Sequence, residues 1–135
     1  MVLDSSAVLA VLFDEPERRA FTLSIERDPR RLMSAANVLE SALVAEARRG
    51  EPAGRELDLL LHRADVLLVP VDADQVEFAR SAWRRFGKGR HPAGLNFGDC
   101  FAYALASASG EPLLFKGEDF ARTDIAAVVA GRAAL

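Results

Sequence analysis

A chain of 135 residues carrying 17 basic and 20 acidic side chains, net −3, is one domain's worth of protein with no global charge to steer it onto nucleic acid. Half of it is hydrophobic and 27% is charged, proportions that exclude a disordered or fibrous chain. The single cysteine, Cys100, excludes an internal disulfide, and the longest apolar runs, 7–13 and 66–71, are far short of the ~20 residues a membrane span needs. No basic region precedes the first apolar run, so the start does not read as a signal peptide, and the expectation is a soluble, cytoplasmic protein without a membrane partner.

In chain order, residues 1–3 form a short apolar run, and Asp4-Ser5-Ser6 supplies N-cap chemistry for a helix over 6–13. Pro16 suits the first turn of a second helix reaching about residue 26. Residues 31–34 read as a short strand. The helical pattern over 35–49 stops at Gly50, where a glycine cap belongs. Another helix covers 53–63, and the β-branched and leucine-rich run 66–71 reads as a buried strand. A helix over 73–86 leads into the loop 87–94, rich in glycine and basic residues. A strongly apolar helix over 97–109 is closed by Gly110 and Pro112, a strand follows at 113–115, and Gly117 opens a turn; the tail 124–135 is apolar and fits either element. Short buried strands alternating with helices give an α/β domain with a mainly parallel sheet.

Four acids stand apart from the solvated charges. Asp4 lies where the first strand meets the first helix, at the carboxyl end where α/β folds place their sites, although an N-cap needs nothing more than its side-chain oxygen. Glu40 shares a helical face with Ala36, Leu43, Val44 and Ala47, and an acid on an apolar stripe is costly to bury unless paired or bound to metal; an edge position or an arginine partner is the plainer account. Asp99 is the sole charge in 95–109 and opens a helix apolar on nearly all sides, where free N–H groups favour a negative charge and where Asn96 alone could cap. Asp119 follows the last strand in a turn, with Glu118 and Asp124 as neighbouring alternatives. If the strands are parallel neighbours, these acids converge on one sheet edge, raise one another's pKa, and call for a divalent cation; oxygen-only ligands suit Mg²⁺ or Mn²⁺.

With those residues placed, the chain resembles a PIN-domain ribonuclease of the VapC toxin type. The resemblance rests on Val2-Leu3-Asp4-Ser5-Ser6-Ala7, Ser34-Ala35-Ala36-Asn37-Val38-Leu39-Glu40, Leu95-Asn96-Phe97-Gly98-Asp99-Cys100-Phe101-Ala102-Tyr103-Ala104 and Leu113-Leu114-Phe115-Lys116-Gly117-Glu118-Asp119-Phe120, four motifs in order from end to end, with the loop from Phe86 to Pro92 similar to one VapC subgroup. It implies a single PIN domain over 1–135, a three-layer α/β/α fold with a mainly parallel central sheet. It implies a Mg²⁺-dependent endoribonuclease (Mn²⁺ substituting), with Asp4 and Asp99 as metal ligands and Glu40 and Asp119 completing the catalytic set. It implies an RNA substrate, a VapB-like antitoxin and a homodimer. Many relatives have Thr beside the first aspartate where this chain has Ser5-Ser6, which keeps the hydroxyl.

Other features are weighed beside this. Arg84, Arg85, Lys88, Arg90 and His91 form a basic cluster suited to phosphate or simply to solvent. Gly87-Lys88-Gly89 lacks the Ser or Thr of a phosphate-cradling loop, His62 and His91 lack zinc spacing, and Trp83 and Tyr103 read as core. Lys116 reads as solvated, and the apolar surface of the first two helices, with Phe21 and Ile25, exceeds what one small core covers and would serve the antitoxin or a second copy. A haloacid-dehalogenase-like phosphatase also opens strand–Asp, but Ser6 stands where its second acid is required; a catalytically silent PIN-like binding module would be expected to have lost part of the acid set.

Overall fold

The computed structural model describes residues 1–128. Strands β1 (Val2–Leu3), β2 (Leu32–Ser34), β3 (Leu67–Val69) and β4 (Leu113–Leu114) form one sheet in the order β3-β2-β1-β4, every pair parallel. The helices are α1 (Ser5–Leu12), α2 (Arg18–Arg27), α3 (Ala35–Arg49), α4 (Glu51–Arg63), α5 (Ala73–Phe86) and α6 (Phe97–Ser109).

Successive strand residues point to opposite faces, and that alternation sorts the core into two layers. Val2, Leu32 and Leu113 pack with Ala82, Phe86, Cys100 and Leu105 of α5 and α6. Met1, Leu3, Met33 and Leu114 pack on the other side with Val8 and Val11 of α1, Phe21 of α2 and Leu57 of α4. The result is the expected α/β/α sandwich with an all-parallel sheet.

Helix boundaries follow the sequence signals closely at α5 and α6. Gly110 closes α6 in the left-handed conformation (φ 70°), which a residue with a Cβ adopts only at a cost. Three expectations need correction. Pro16 lies in the turn before α2 rather than in its first turn, because the chain reverses through Asp14 at φ 54° before the helix can start. The strand expected over 66–71 is only Leu67–Val69, and it is not buried: Leu67 is 60% exposed, because β3 is the sheet's edge with a single neighbour. The apolar residues of α1 and α2 are mostly not surplus, since Val8, Val11, Phe21 and Ile25 are all buried in the core, while Leu23 is exposed. Of the ambiguous tail, Ala127 forms a parallel bridge to Leu113, and 129–135 lie outside the described residues.

β1 has sequence neighbours on one side (β2, then β3) and the distant β4 on the other. The strand order therefore reverses between β1 and β4, and the carboxyl edge at such a switch point is the place where open α/β sheets hold ligands.

Candidate active site at the carboxyl edge of the sheet

Asp4 is the first residue past β1. Its backbone N–H donates to Leu114 O at 3.0 Å, so the central strand pairing fixes it, and its side chain is 4% exposed. Oδ2 accepts from Ser6 N at 3.0 Å and from Ser6 Oγ at 2.5 Å, an N-cap for α1. Oδ1 has no hydrogen-bond partner among the described residues. Burial, and then the nearby charges of Asp99 and Glu40, push its pKa up to about 6 despite the two Ser6 bonds. Ser6 Oγ also accepts from the Lys116 N–H at 2.9 Å, tying the exit of β4 to the same carboxylate.

Glu40 reaches the site from α3, but not on the stripe the sequence suggests. The buried face of α3 is Asn37, Ser41 and Ala45, while Leu43 is 61% exposed, so Glu40 stands at the edge of that face. It is held there by a small polar frame. Ser5 Oγ donates to Glu40 Oε1 at 2.5 Å and Asn37 Nδ2 donates to the same oxygen at 3.2 Å. Asn37, fully buried, also donates to Gly98 O at 2.9 Å, linking α3 to α6. The carboxylate lies so close to α6 that a Cβ built on Gly98 would sit 1.9 Å from Glu40 Oε2.

Asp99 is partly exposed rather than sunk in the core, and it does not act in place of Asn96. The two form a capping box: Asn96 Oδ1 accepts from Asp99 N at 2.9 Å and Asp99 Oδ2 accepts from Asn96 N at 3.0 Å. Its pKa is raised, first by burial and also by the charges of Asp119 and Glu40. Asp119 is exposed at the rim, in the turn before Phe120, within electrostatic reach of Asp99. The fold thus brings Asp4, Glu40 and Asp99 within electrostatic reach, with Asp119 reaching Asp99 at the rim. Asp124 belongs elsewhere: Tyr103 Oη donates to it at 2.5 Å and Arg85 pairs with it at 3.0 Å, and the Tyr103 bond, with Arg85, lowers its pKa.

These acids suit a hard divalent cation by their chemistry. The donors are all oxygen, and among the described residues no hydrogen bond takes up Asp4 Oδ1 or Asp99 Oδ1. The like charges that raise Asp4 and Asp99 are the ones a cation would offset. Among the described residues no three acidic, His or Cys side chains are grouped closely enough to hold a metal ion as they stand.

Sequence reasoning missed Asn37 and Gly98 as parts of this site. The signals were there: Asn37 is one helical turn before Glu40, and Gly98 immediately precedes Asp99 in a helix with no evident need of glycine. Lys116 is engaged rather than free, at 3.2 Å from both Glu15 and Glu17. Trp83 is 45% exposed rather than core, whereas Tyr103 is buried.

A PIN-domain family model matches residues 1–126. Ribonuclease VapC30 of Mycobacterium tuberculosis is 64% identical over 128 residues, spanning 95% of this chain and 98% of that protein. Among solved structures, the VapC20 toxin of M. tuberculosis, described as cleaving the sarcin–ricin loop, superposes with a TM-score of 0.77 at 18% identity, covering 94% of this chain and 97% of that one. VapBC-1 from nontypeable Haemophilus influenzae superposes with a TM-score of 0.71 at 18% identity, covering 94% and 95%.

Proposed function

The chain belongs to the PIN-domain family, in its VapC ribonuclease branch, and from that membership we propose that it is a divalent-metal-dependent endoribonuclease, the toxin of a VapBC-type pair. The observation that carries the reading is the position of Asp4, buried at the carboxyl edge where β1 meets β4 and charge-coupled to Asp99 and Glu40. We read the whole chain as one such domain, acting in the cytoplasm; no described helix is long and apolar enough to cross a membrane. A VapB-like antitoxin is the proposed partner, by analogy with the VapBC-1 assembly, together with a second copy of the chain.

In this reading Asp4 and Asp99 would hold Mg²⁺, or Mn²⁺ in its place. When bound, the cation supplies Lewis acidity that lowers the pKa of water and offsets charge developing at the scissile phosphate. The protein's own part is positional. Ser6 and the Lys116 amide lock Asp4 so that one carboxylate oxygen is committed and the other is presented. Asn96 does the same for Asp99. Glu40, anchored through Oε1, keeps Oε2 available to take the proton of the attacking water. Asp119, exposed at the rim, completes the set by ordering solvent on the substrate side. No side chain needs to act as a covalent nucleophile.

The test is cleavage of total RNA by the purified chain, read by mapping new 5′ ends. Cutting is expected with Mg²⁺ or Mn²⁺ and none with EDTA. Asp99→Asn should lower the rate at least about 100-fold, the scale seen when one group that stabilises a transition state is removed. Because Asn still caps α6, its circular dichroism should match the parent. Metal-independent cutting would refute the mechanism.

A further inference from the structure

A groove of about 740 Å³ lies between α5 and the start of α6. We infer that it holds unpaired nucleotides of the RNA substrate flanking the scissile bond, with bases on Trp83 and Phe97 and phosphates on Arg84, Lys88 and Arg90. This rests on the ribonuclease reading above and adds where the strand runs.

The floor is aromatic and uncovered. Phe97 is 81% exposed at the first position of α6, its ring edge-on to Phe101 at 4.9 Å, and Trp83 is 45% exposed. Contiguous apolar surface of this kind marks a contact site. The rim is cationic and contains no acidic side chain. Arg90 lies 4.0 Å over the Trp83 ring, while Arg84 and Lys88 are exposed with no ion pair among the described residues. The other members of the basic cluster are occupied elsewhere: Arg85 with Asp124, and His91 as acceptor for the Ala93 N–H with its ring against Phe86. The loop that carries Lys88 and Arg90 is held at its base by the parallel bridge of Gly87 to Leu95, with Lys88 N donating to Leu95 O at 2.9 Å.

Base-stacking rings inside a cationic groove are how proteins hold single-stranded nucleic acid. In a chain of net −3 this concentration of free cations is local and therefore selective for an anionic occupant. A second copy is the poorer fit, because a twofold contact at this face would set the cationic rim against itself. The groove also adjoins the chemistry. Asn96, which lines it, is bonded reciprocally to Asp99, so a strand lying on Phe97 passes directly to the acids.

The experiment uses a 5′-fluorescein-labelled unstructured RNA oligonucleotide, its affinity for the full chain measured by anisotropy in EDTA across a salt series. Phe97→Ala is expected to weaken binding about 10-fold, within the range for loss of one stacked base, and Phe97→Tyr to retain it. The double variant Arg84→Glu with Lys88→Glu should flatten the salt slope by roughly 1.4, about 0.7 for each lost phosphate contact. Phe97 is exposed, so its removal leaves the fold intact, which circular dichroism verifies. Unchanged affinity and slope would overturn the proposal. So would unchanged RNA affinity with a shift from dimer to monomer in sedimentation, which gives the groove to a second copy, or with loss of antitoxin binding, which gives it to a peptide. A parent chain that binds RNA through the groove but cuts none with Mg²⁺ would keep the groove as an RNA site and sink the ribonuclease reading, and with it the placing of the scissile bond; cutting unaffected by the groove variants would keep the ribonuclease reading and overturn the groove.

Discussion

Gly98→Ala is expected to destabilise the protein by about 3 kcal/mol and to slow RNA cleavage on the order of 100-fold. Within a helix this exchange ordinarily gains stability, about 0.5–1 kcal/mol, because alanine loses less backbone entropy. Here the sign reverses because the new methyl would lie 1.9 Å from Glu40 Oε2 and 2.6 Å from Glu40 Cδ. The backbone of α6 is anchored by its capping box and by the bond from Asn37 to Gly98 O, so Glu40 is the part that must move. Moving it breaks the bonds from Ser5 and Asn37, and hydrogen bonds to a charged group contribute about 1.5–3 kcal/mol each. A displacement of about an ångström in a positioned group is enough for the rate loss. The second half of the experiment is Gly98→Ala combined with Glu40→Asp. The shorter acid withdraws from the methyl, so the pair should be more stable than Gly98→Ala alone by over about 1 kcal/mol in urea denaturation, a direct coupling of the two positions. Simple additivity would show that Gly98 has another role.

Asp4→Asn should have the opposite effect on stability while also removing activity. The Asp4 pKa is raised, from 3.8 to about 6, mainly by burial. Below pH 3.8 the carboxyl is neutral folded and unfolded alike, and no penalty exists. As pH rises from 3.8 to 6 the unfolded chain ionises first, so folding loses ground; above 6 the full penalty persists. At ~1.4 kcal/mol per pKa unit it amounts to about 3 kcal/mol in metal-free protein. Asn removes the charge and keeps an oxygen for Ser6, though with a weaker bond. The variant should therefore exceed the parent by about 2 kcal/mol at pH 7.5 in EDTA, with the gap closing towards pH 4. A gap that does not change with pH would mean that Asp4 is not an ionised group held against its preference.

The contrast between these two positions shows what could be read from the amino-acid order. The strand–Asp4 junction and the closure of α6 at Gly110 are local signals, and the structure follows them. The placing of Glu40 is not local. Its stripe with Leu43 and Val44 looked apolar, but the residues buried on α3 are Asn37, Ser41 and Ala45, set by the packing of α4, α1 and α6 against this helix, which no periodicity in α3 alone contains. The frame of Ser5, Asn37 and Gly98 joins residues up to 93 positions apart in chain number (5 to 98), and only the folded contacts reveal it. The run 66–71 failed for a related reason: leucine and valine content marks a strand, but whether it is central or at the edge depends on the order of the sheet. Trp83 was misjudged because a tryptophan in a helix next to a basic loop carries the same sequence signature whether it is covered or not.

The pairing of β1 with β4 also bears on how the protein is made. Val2 and Leu3 find Leu113 and Leu114 as neighbours, and Asp4 and Ser6 are fastened by Leu114 O and the Lys116 amide. On the ribosome Asp4 is made long before Leu114 and Lys116, so the contacts that set that aspartate arrive only after residue 116 has emerged. Asp99 and Asp119 are likewise late. The placing of Asp4 is therefore withheld until the segment that holds it has emerged, so products that stop before residue 114 carry Asp4 without the partners that place it.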